Sequence, residues 1–384
     1  MTRIKILNFI SALSGGGAER QLSYIAPELH RMGHDVHIAY SQDGPCKPEL
    51  HGVVLHRLNF RSNYDPYLLW QLVRLIRRVK PDIVATCLLQ MDVFGGTAAR
   101  INGVPWIFRE PSSAEAYPQT WKNSLRVRIG SGASAIVSNS SGGDDYWKAR
   151  LPHSRRYVVS NGLPVREIDS TVPALPSGLT KPEAPIVLFV GRLTSDVSGV
   201  KNLKMLLGAL ACVRQKQNVS AVLCGEGPQR SELERLKNKL GLEAWLQFAG
   251  HLPTASVWAL MKMASVFVSL SAYEGCPNTV MEAMACGCPL VLSDIPAHRE
   301  ILDESSTLFV DPINVRVVAA AISQALDDQD ASKSRAFIAK QKSSKWSIEK
   351  AARDYEKVYM EVISQYSLLD GKGRKPALGR GDPL

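Results

Sequence analysis

Two carboxylates, Glu274 and Glu282, stand in the segment SAYEGCPNTVMEAMACGCP at 271–289. Pro277 suits the first turn of a helix, and Gly287 followed by Pro289 suits its end. Glu274 then belongs to the loop before that helix, while Glu282 projects from its second turn. The backbone N–H groups of Asn278, Thr279 and Val280 would point out of the helix start toward an anion. Such a set fits a ligand carrying both phosphates and hydroxyls: the helix start receives the phosphates and each carboxylate accepts hydrogen bonds from hydroxyls. Two readings compete. A close carboxylate pair can be the acid and base of a glycosidase, and Glu282 alone can be an ordinary solvated helix residue.

Cationic groups elsewhere favour the phosphate ligand. The apolar run Ile186–Val190 leads into Gly191, Arg192 and Leu193, then Val200, Lys201 and Asn202. A helix starting near Asn202 brings Lys201 back to the end of that run, where Arg192 and Lys201 can stabilise a diphosphate leaving group. The alternative is plain surface charge. A third segment, Gly15-Gly16-Gly17-Ala18-Glu19-Arg20, follows Ile4–Ile10 and precedes a helical pattern. Its glycines allow close approach of a bulky group, and the helix start offers free N–H groups to a phosphate against Gly16 or Gly17. It matches neither the dinucleotide fingerprint nor the P-loop, so a flexible turn is the other reading.

These residues need a scaffold, and the apolar pattern describes one. Strand-length runs (Ile4–Ile10, Val36–Tyr40, Ile83–Cys87, Trp106–Phe108, Ala135–Val137, Tyr157–Val159) alternate with helical stretches. A second series follows at Ile186–Val190, Ala221–Cys224, Leu246–Phe248, Val266–Leu270, Leu290–Leu292 and Thr307–Val310. Such alternation predicts α/β domains with parallel sheets covered by helices on both faces. Four prolines at 173, 176, 182 and 185 mark 169–185 as a linker. The expected organisation is a doubly wound first domain over 1–168 and a second over 186–349, with ligands in the cleft between them at the carboxyl ends of strands. Ser347–Tyr366 reads as an amphipathic helix. The stretch 371–384, GKGRKPALGRGDPL, reads as a disordered tail.

Composition narrows the class. The 384 residues exceed one ordinary core. No run of about 18 uncharged apolar residues is present to span a bilayer, and the N-terminus lacks the apolar core of a signal peptide. Seven cysteines (Cys46, Cys87, Cys212, Cys224, Cys276, Cys286, Cys288), odd in number and unevenly spaced, read as reduced cytoplasmic thiols, and no metal site is expected. The net charge is +10, and residues 1–165 hold 20 Lys and Arg against 12 Asp and Glu. A basic first half implies an anionic partner: a membrane surface, a phosphorylated substrate or nucleic acid. No nucleic-acid motif accompanies it.

In order along the chain, these segments resemble the retaining GT-B-fold glycosyltransferases of family 4. The resemblance covers about residues 3–365. It rests on Gly15–Arg20 with Gly33-His34-Asp35-Val36, on Val137–Ser140, and on Val158–Gly162. It continues through Val190–Leu193 with Lys201-Asn202, Cys224–Pro228, Phe248–Gly250, and the E-x7-E pair Glu274 and Glu282 with Ala-Met-Ala-Cys-Gly287. It implies two Rossmann-like domains facing a central cleft, with a C-terminal helix (about 350–368) crossing back to the first domain. It also implies a nucleotide-sugar donor, UDP preferred over GDP, with no cofactor and no metal. Gly16 and Gly17 would lie against the donor phosphates, Arg192 and Lys201 would bind the diphosphate, and Glu274 the donor sugar. Glu282 would hold the ribose, and Gly250 and His251 would frame the base beside Gly225 and Glu226. Asn161 falls within a matching segment and is taken as a binding residue. Amides over Gly275, Cys276, Pro277, Asn278 and Thr279 would support sugar or phosphate. Retention would follow from front-face attack, the leaving phosphate helping to deprotonate the acceptor. One departure stands out. Many members carry a His after the strand at Trp106–Phe108, where this chain reads Arg109-Glu110-Pro111-Ser112-Ser113. Glu110 or Arg109 is then the candidate for the sugar or acceptor, with a structural salt bridge as the alternative.

The acceptor side is suggested by residues 68–80, LLWQLVRLIRRVK. Leu68, Leu69, Leu72, Val73, Leu75, Ile76 and Val79 share one arc, and Trp70, Arg74 and Arg77 lie opposite with Arg78 nearby. Trp beside Arg on an outer face suits anionic lipid, and Trp121, Lys122, Arg126 and Arg128 would extend it. This predicts a peripheral protein on the inner face of the cell membrane with a lipid-linked saccharide acceptor. The competing functions are a nucleotide-sugar epimerase, a phosphorylase, and a catalytically silent membrane-associated subunit.

Overall fold

The structure, a computed structural model, describes residues 2–13, 16–43, 50–60, 65–113, 116, 119–180, 183–194 and 201–370. Gly15, Cys46, Val200 and the tail at 371–384 lie outside the described residues.

The first half runs β1 (Lys5–Phe9), β2 (Ala12–Leu13), α1 (Gly17–Arg31), β3 (Asp35–Tyr40), β4 (Gln42–Asp43), β5 (Val54–Arg57), α2 (Pro66–Val79) and β6 (Ile83–Cys87). It continues with α3 (Leu89–Asn102), β7 (Trp106–Glu110), α4 (Trp121–Gly130), β8 (Ala135–Ser138), α5 (Ser141–Arg150), β9 (Arg156–Val158) and α6 (Val165–Ser170). The second half holds β10 (Ile186–Val190), α7 (Leu203–Arg214), β11 (Ser220–Cys224), α8 (Arg230–Lys239), β12 (Leu246–Gly250), α9 (Thr254–Met263) and β13 (Val266–Ser269). Then come α10 (Asn278–Ala285), β14 (Leu290–Ser293), α11 (Pro296–Arg299), β15 (Leu308–Val310), α12 (Val315–Asp327), α13 (Gln329–Ser343) and α14 (Ile348–Asp370).

Two parallel sheets result, ordered β5-β3-β1-β6-β7-β8-β9 and β12-β11-β10-β13-β14-β15. Helices cover both faces of each, which is why β6, β7 and β11 are buried at every residue, Arg109 and Glu110 at the end of β7 included. The edge strand β5 and the two-residue β2–β4 pairing were not part of the sequence reading. Each is too short or too exposed to leave an apolar signature. In each sheet the strand order reverses beside the first strand, between β1 and β6 and between β10 and β13. The loops leaving these strands frame the crevices where ligands bind in such folds.

The last helix returns to the first half. Ala351, Ala352, Tyr355, Val358, Tyr359 and Val362 of α14 are buried in one cluster with Ile6, Val36, Ile83 and Leu22. His34 Nε2 meets Glu356 Oε1 at 3.0 Å. The two passages between halves run side by side: Leu163 N donates to Trp346 O at 2.7 Å and Ile348 N donates to Leu163 O at 3.2 Å. A Cβ on Gly162 would meet Ile348 Cα at 2.9 Å, so the closeness requires glycine there. The prolines of the linker stretch follow α6, which extends to Ser170, one residue beyond the expected start of the linker.

In α2, Leu68, Leu72, Leu75, Ile76 and Val79 are buried as the core arc requires, and Trp70, Arg74, Arg77 and Arg78 are exposed. The proposed extension to Arg126 fails. Arg126 is 1% exposed and lies between Asp92 and Glu110, because those two buried carboxylates demand a cation.

Tyr359 sits 1% exposed in a core whose other members are up to about 350 residues away in sequence. Tyr359→Ala should lower stability by about 3 kcal/mol, read as a reduced midpoint in urea. A midpoint equal to wild type would mean that α14 does not belong to the first half's core.

Candidate active site

The loops at the two switch points open into one cleft between the halves, a cavity of about 1140 Å³. Of the residues expected from sequence, all but Gly250 and Glu282 line it. From the first half come Gly16, Gly17, Glu110 and Asn161. From the second come Arg192, Lys201, Gly225, Glu226, His251, Glu274, Gly275, Cys276, Pro277, Asn278 and Thr279.

Glycines set the close approaches. Gly225 has φ +135°, and a Cβ there would come to 1.9 Å from Gly191 O, so the turn carrying Arg192 passes directly against it. Gly275 touches the first half: a Cβ would meet Pro111 O and Ser112 Cα at 2.7 Å each. Arg192 is exposed in the cleft and forms no ion pair among the described residues. Asn202 holds the left-handed conformation (φ +49°) and donates from Nδ2 to Leu270 O at 2.8 Å, which fixes α7 to the end of β13. Lys201 is thereby delivered to Glu274.

Lys201 Nζ and Glu274 Oε1 are in direct hydrogen-bonded contact, and Ser271 Oγ donates to the same oxygen at 2.7 Å. Burial pushes the Glu274 carboxyl up, but the Lys201 charge and these hydrogen bonds outweigh it, leaving the group below the usual carboxylate range. Glu274 is therefore held ionised. Expected to act separately, Lys201 and Glu274 are one ion pair.

Glu282 is placed differently. It is 1% exposed, stands behind the cleft wall, and receives Arg20 Nη2 at 2.7 Å from α1 of the first half. Burial raises its carboxyl above the usual range, opposed by Arg20 and by the Trp258 indole. The same helix faces meet again nearby: Asn278 Oδ1 accepts from Gln21 Nε2 at 3.1 Å and from Asn161 Nδ2 at 2.8 Å. Gly17 packs on Asn278, where a Cβ would meet Nδ2 at 2.9 Å. Gly16 N donates to Glu19 Oε2 at 2.8 Å as a helix cap. Gly17, Arg20, Gln21 and Tyr24 recur at helical spacing and form the face of α1 turned to the second half. Gln21 and Tyr24 were missed from sequence, although that i, i+3, i+4, i+7 spacing from Gly17 was available; Trp258 on α9 was missed as well.

Glu110 lines the cleft, but its carboxylate faces inward. Oε2 accepts from Arg126 Nη1 at 3.0 Å and Trp147 Nε1 at 2.9 Å, and Oε1 accepts from Ser112 N at 2.8 Å. It serves as a frame for the loop at Pro111–Ser113 and is turned away from a substrate. Arg109 stacks over Tyr355 of α14 at 4.7 Å and donates from Nε to its hydroxyl at 3.1 Å.

Residues 175–344 match the family described as Glycosyl transferases group 1, and residues 15–167 match Glycosyltransferase Family 4. The chain belongs to the group 1, family 4 glycosyltransferases. This glycosyltransferase is 25% identical to the alpha-D-kanosaminyltransferase of Streptomyces kanamyceticus, over 77% of this chain and 82% of that protein. It is also 25% identical to the lipopolysaccharide core biosynthesis glycosyltransferase LpsD of Rhizobium meliloti, over 82% and 85%. HepE of Anabaena, solved in complex with UDP and glucose, superposes with a TM-score of 0.80 at 20% identity, covering 94% of this chain and all of that one. The glycosyltransferase therefore has the GT-B fold, and its candidate active site is the cleft between the two sheets.

Beside that cleft Arg126 is shared by Asp92 and Glu110, two carboxylates to one cation. Burial pushes the Asp92 carboxyl up to about 7, with Arg126 and Thr86 opposing. The folded state then holds this proton more tightly than the unfolded chain. Its contribution is full below pH about 4 and is lost as pH rises to about 7. Asp92→Asn copies the protonated form, so its melting temperature relative to wild type should rise between pH 5 and pH 8. A difference constant across that range would refute the shared-proton account.

Proposed function

We propose that this glycosyltransferase moves a sugar from a nucleoside diphosphate sugar, UDP before GDP, to a hydroxyl of a lipid-linked saccharide, with retention at the anomeric carbon. The observation that carries the donor assignment is the joining of Lys201, Glu274, Arg192 and the N-terminus of α10 at one strand switch point. UDP is favoured because HepE was solved with UDP, and lipopolysaccharide assembly is the named role of LpsD.

In this reading the anomeric C–O bond to the diphosphate breaks while the acceptor oxygen bonds the same face. The acceptor proton passes to the departing phosphate oxygen. Arg192, Lys201 and the amides of Asn278 and Thr279 take up the growing charge on the diphosphate, which is where preorganised donors have most effect. Glu274 accepts hydrogen bonds from the donor sugar and, through Lys201, keeps that cation aimed at the leaving group. Glu282 serves the ribose. No metal is needed in this scheme, since these cations carry the charge.

Membrane attachment rests on a patch outside the cleft. Tyr67 and Trp70 stack at 5.2 Å and Arg74 lies over Trp70 at 5.2 Å, with both rings half exposed. Ile101 of α3 and Trp121 of α4, on the neighbouring helices, are exposed as well. An aromatic and basic surface of this kind suits the headgroup region of an anionic leaflet. No described helix is long and apolar enough to cross a membrane. The protein would act on the inner face of the cell membrane.

Lys201→Ala and Glu274→Gln should each lower kcat about 100-fold or more; Glu274→Gln should leave UDP binding by calorimetry within a few-fold of wild type, whereas Lys201→Ala should weaken it. Transfer rates near wild type in both would sink the donor-site assignment. Separately, the Trp70→Ala/Arg74→Ala double variant should lose flotation with anionic vesicles but keep soluble-acceptor activity. Equal flotation of variant and wild type removes the membrane reading.

A further inference from the structure

Two arginines beside the cleft are matched by carboxylates: Arg20 meets Glu282, and Arg126 meets Asp92 and Glu110. Arg109 is not matched. It is 7% exposed, borders the cleft at the end of β7, and forms no ion pair among the described residues. Its Nε donates to the Tyr355 hydroxyl at 3.1 Å, and the guanidinium lies over the Tyr355 ring at 4.7 Å. Nη1 and Nη2 donate to no described residue, and neither does the Tyr355 O–H. A guanidinium withdrawn from water without a counter-charge is costly and calls for a reason.

The surroundings add further donors. Cys87 stands opposite Arg109 in the parallel register of β6 and β7. The helix α3 begins two residues later at Leu89, and no side chain caps it. Its first N–H groups open at the same end of the sheet as Arg109, and a helix start favours negative charge. The neighbouring carboxylates Asp92 and Glu110 are both turned to Arg126. A cluster of N–H and O–H donors around one cation suits the oxygens of a carboxylate or a phosphate. Its place along the cleft is defined as well. Pro111, two residues from Arg109, packs against Gly275, the residue after Glu274. Two extended residues span about 7 Å, so the cluster lies next to the donor sugar's place and on the opposite wall.

We propose that Arg109 and Tyr355 form an oxyanion subsite for the acceptor, so that the saccharide receiving the sugar carries a carboxylate or a phosphate on the glycosylated unit or on the one attached to it. This rests on the transfer reading above and adds the charge of its acceptor. Two arginines without carboxylate partners then divide the walls of the cleft between them. Arg192 meets the donor diphosphate from the second half, and Arg109 meets the acceptor's anion from the first. Arg109 is a specificity-determining residue, since a neutral acceptor leaves its charge buried and unpaired. The returning helix α14 supplies Tyr355 and so takes part in recognition as well as in the first half's core.

The test is calorimetric titration of the full chain, saturated with UDP, with three acceptor fragments. They are methyl glucuronide for a carboxylate, glucose 1-phosphate for a phosphate, and methyl glucoside as the neutral reference. Wild type should bind one of the two anions at least about tenfold more tightly than the glucoside, and which one it is identifies the source of the charge. Arg109→Met should erase that preference, Arg109→Lys should keep part of it, and both should bind UDP as wild type does. Because no carboxylate balances Arg109, Arg109→Met should keep or raise the melting temperature. Arg126→Met, which strands Asp92 and Glu110, should lower it. Anions bound no more tightly than the glucoside, no detectable binding of either anion, or an undiminished preference in Arg109→Met overturns the subsite and leaves the donor reading in place. A fall in melting temperature with Arg109→Met as large as that with Arg126→Met overturns it too, as the mark of a structural arginine. Failure of both UDP and GDP to bind sinks the donor reading, and the same three titrations on the free chain then decide the subsite alone.

Discussion

A carboxylate withdrawn from water needs a cation or a proton. Around the cleft of this protein that requirement arises at four carboxylates, and the answers organise the site. Glu274 is given Lys201 from the turn before α7, within its own half. Glu282 is given Arg20 from the opposite half. Asp92 and Glu110 share Arg126, and burial with one cation for two carboxylates pushes the Asp92 carboxyl up to about 7. In each case the cation comes from an element distant in sequence, so forming the charge pair also fixes the relation of one element to another. The catalytic geometry and the packing of the two sheets are in this respect the same problem.

The three solutions differ in what they leave available. The Glu274 pair lies open to the cleft and keeps its charge, which suits a group that must meet a polar substrate. The Arg126 cluster is sealed under Phe108 and Trp147, over which the guanidinium lies at 4.6 and 5.3 Å. It holds the loop at Pro111–Ser113 in place through the Ser112 amide and offers nothing to solvent. The Arg20–Glu282 pair is intermediate, closed off but incompletely satisfied.

Much of this was legible in sequence because it is local. The strands of both sheets, apart from the short edges, announce themselves as apolar runs, and Gly225, Gly275, Arg192, Lys201 and Glu274 lie in short motifs that the fold brings to one cleft. Pairing across the chain was not legible. Glu282 looks like a free helix carboxylate until Arg20 is seen 262 positions away. Arg126 looks like a surface cation because α4 has little amphipathic pattern, and its partners sit on α3 and β7. Glu110, in the place where a histidine was missed, gave no sign that three protein donors already occupied it. Burial of charge depends on what folds over a residue, and a single helix face does not carry that information.

The return of α14 has a temporal consequence. Its buried side chains belong to the cluster formed by β1, β3, β6 and α1, yet the ribosome makes them only after the whole second half. The first half therefore emerges early with an apolar face uncovered between α1 and β9 and has to wait for residues beyond 347 to close it. The second half has all its strands by 310 and can finish first. The usual N-to-C order of domain completion during synthesis is reversed here. The exposed face of the waiting half is the part of this protein most in need of a chaperone's cover while translation is under way.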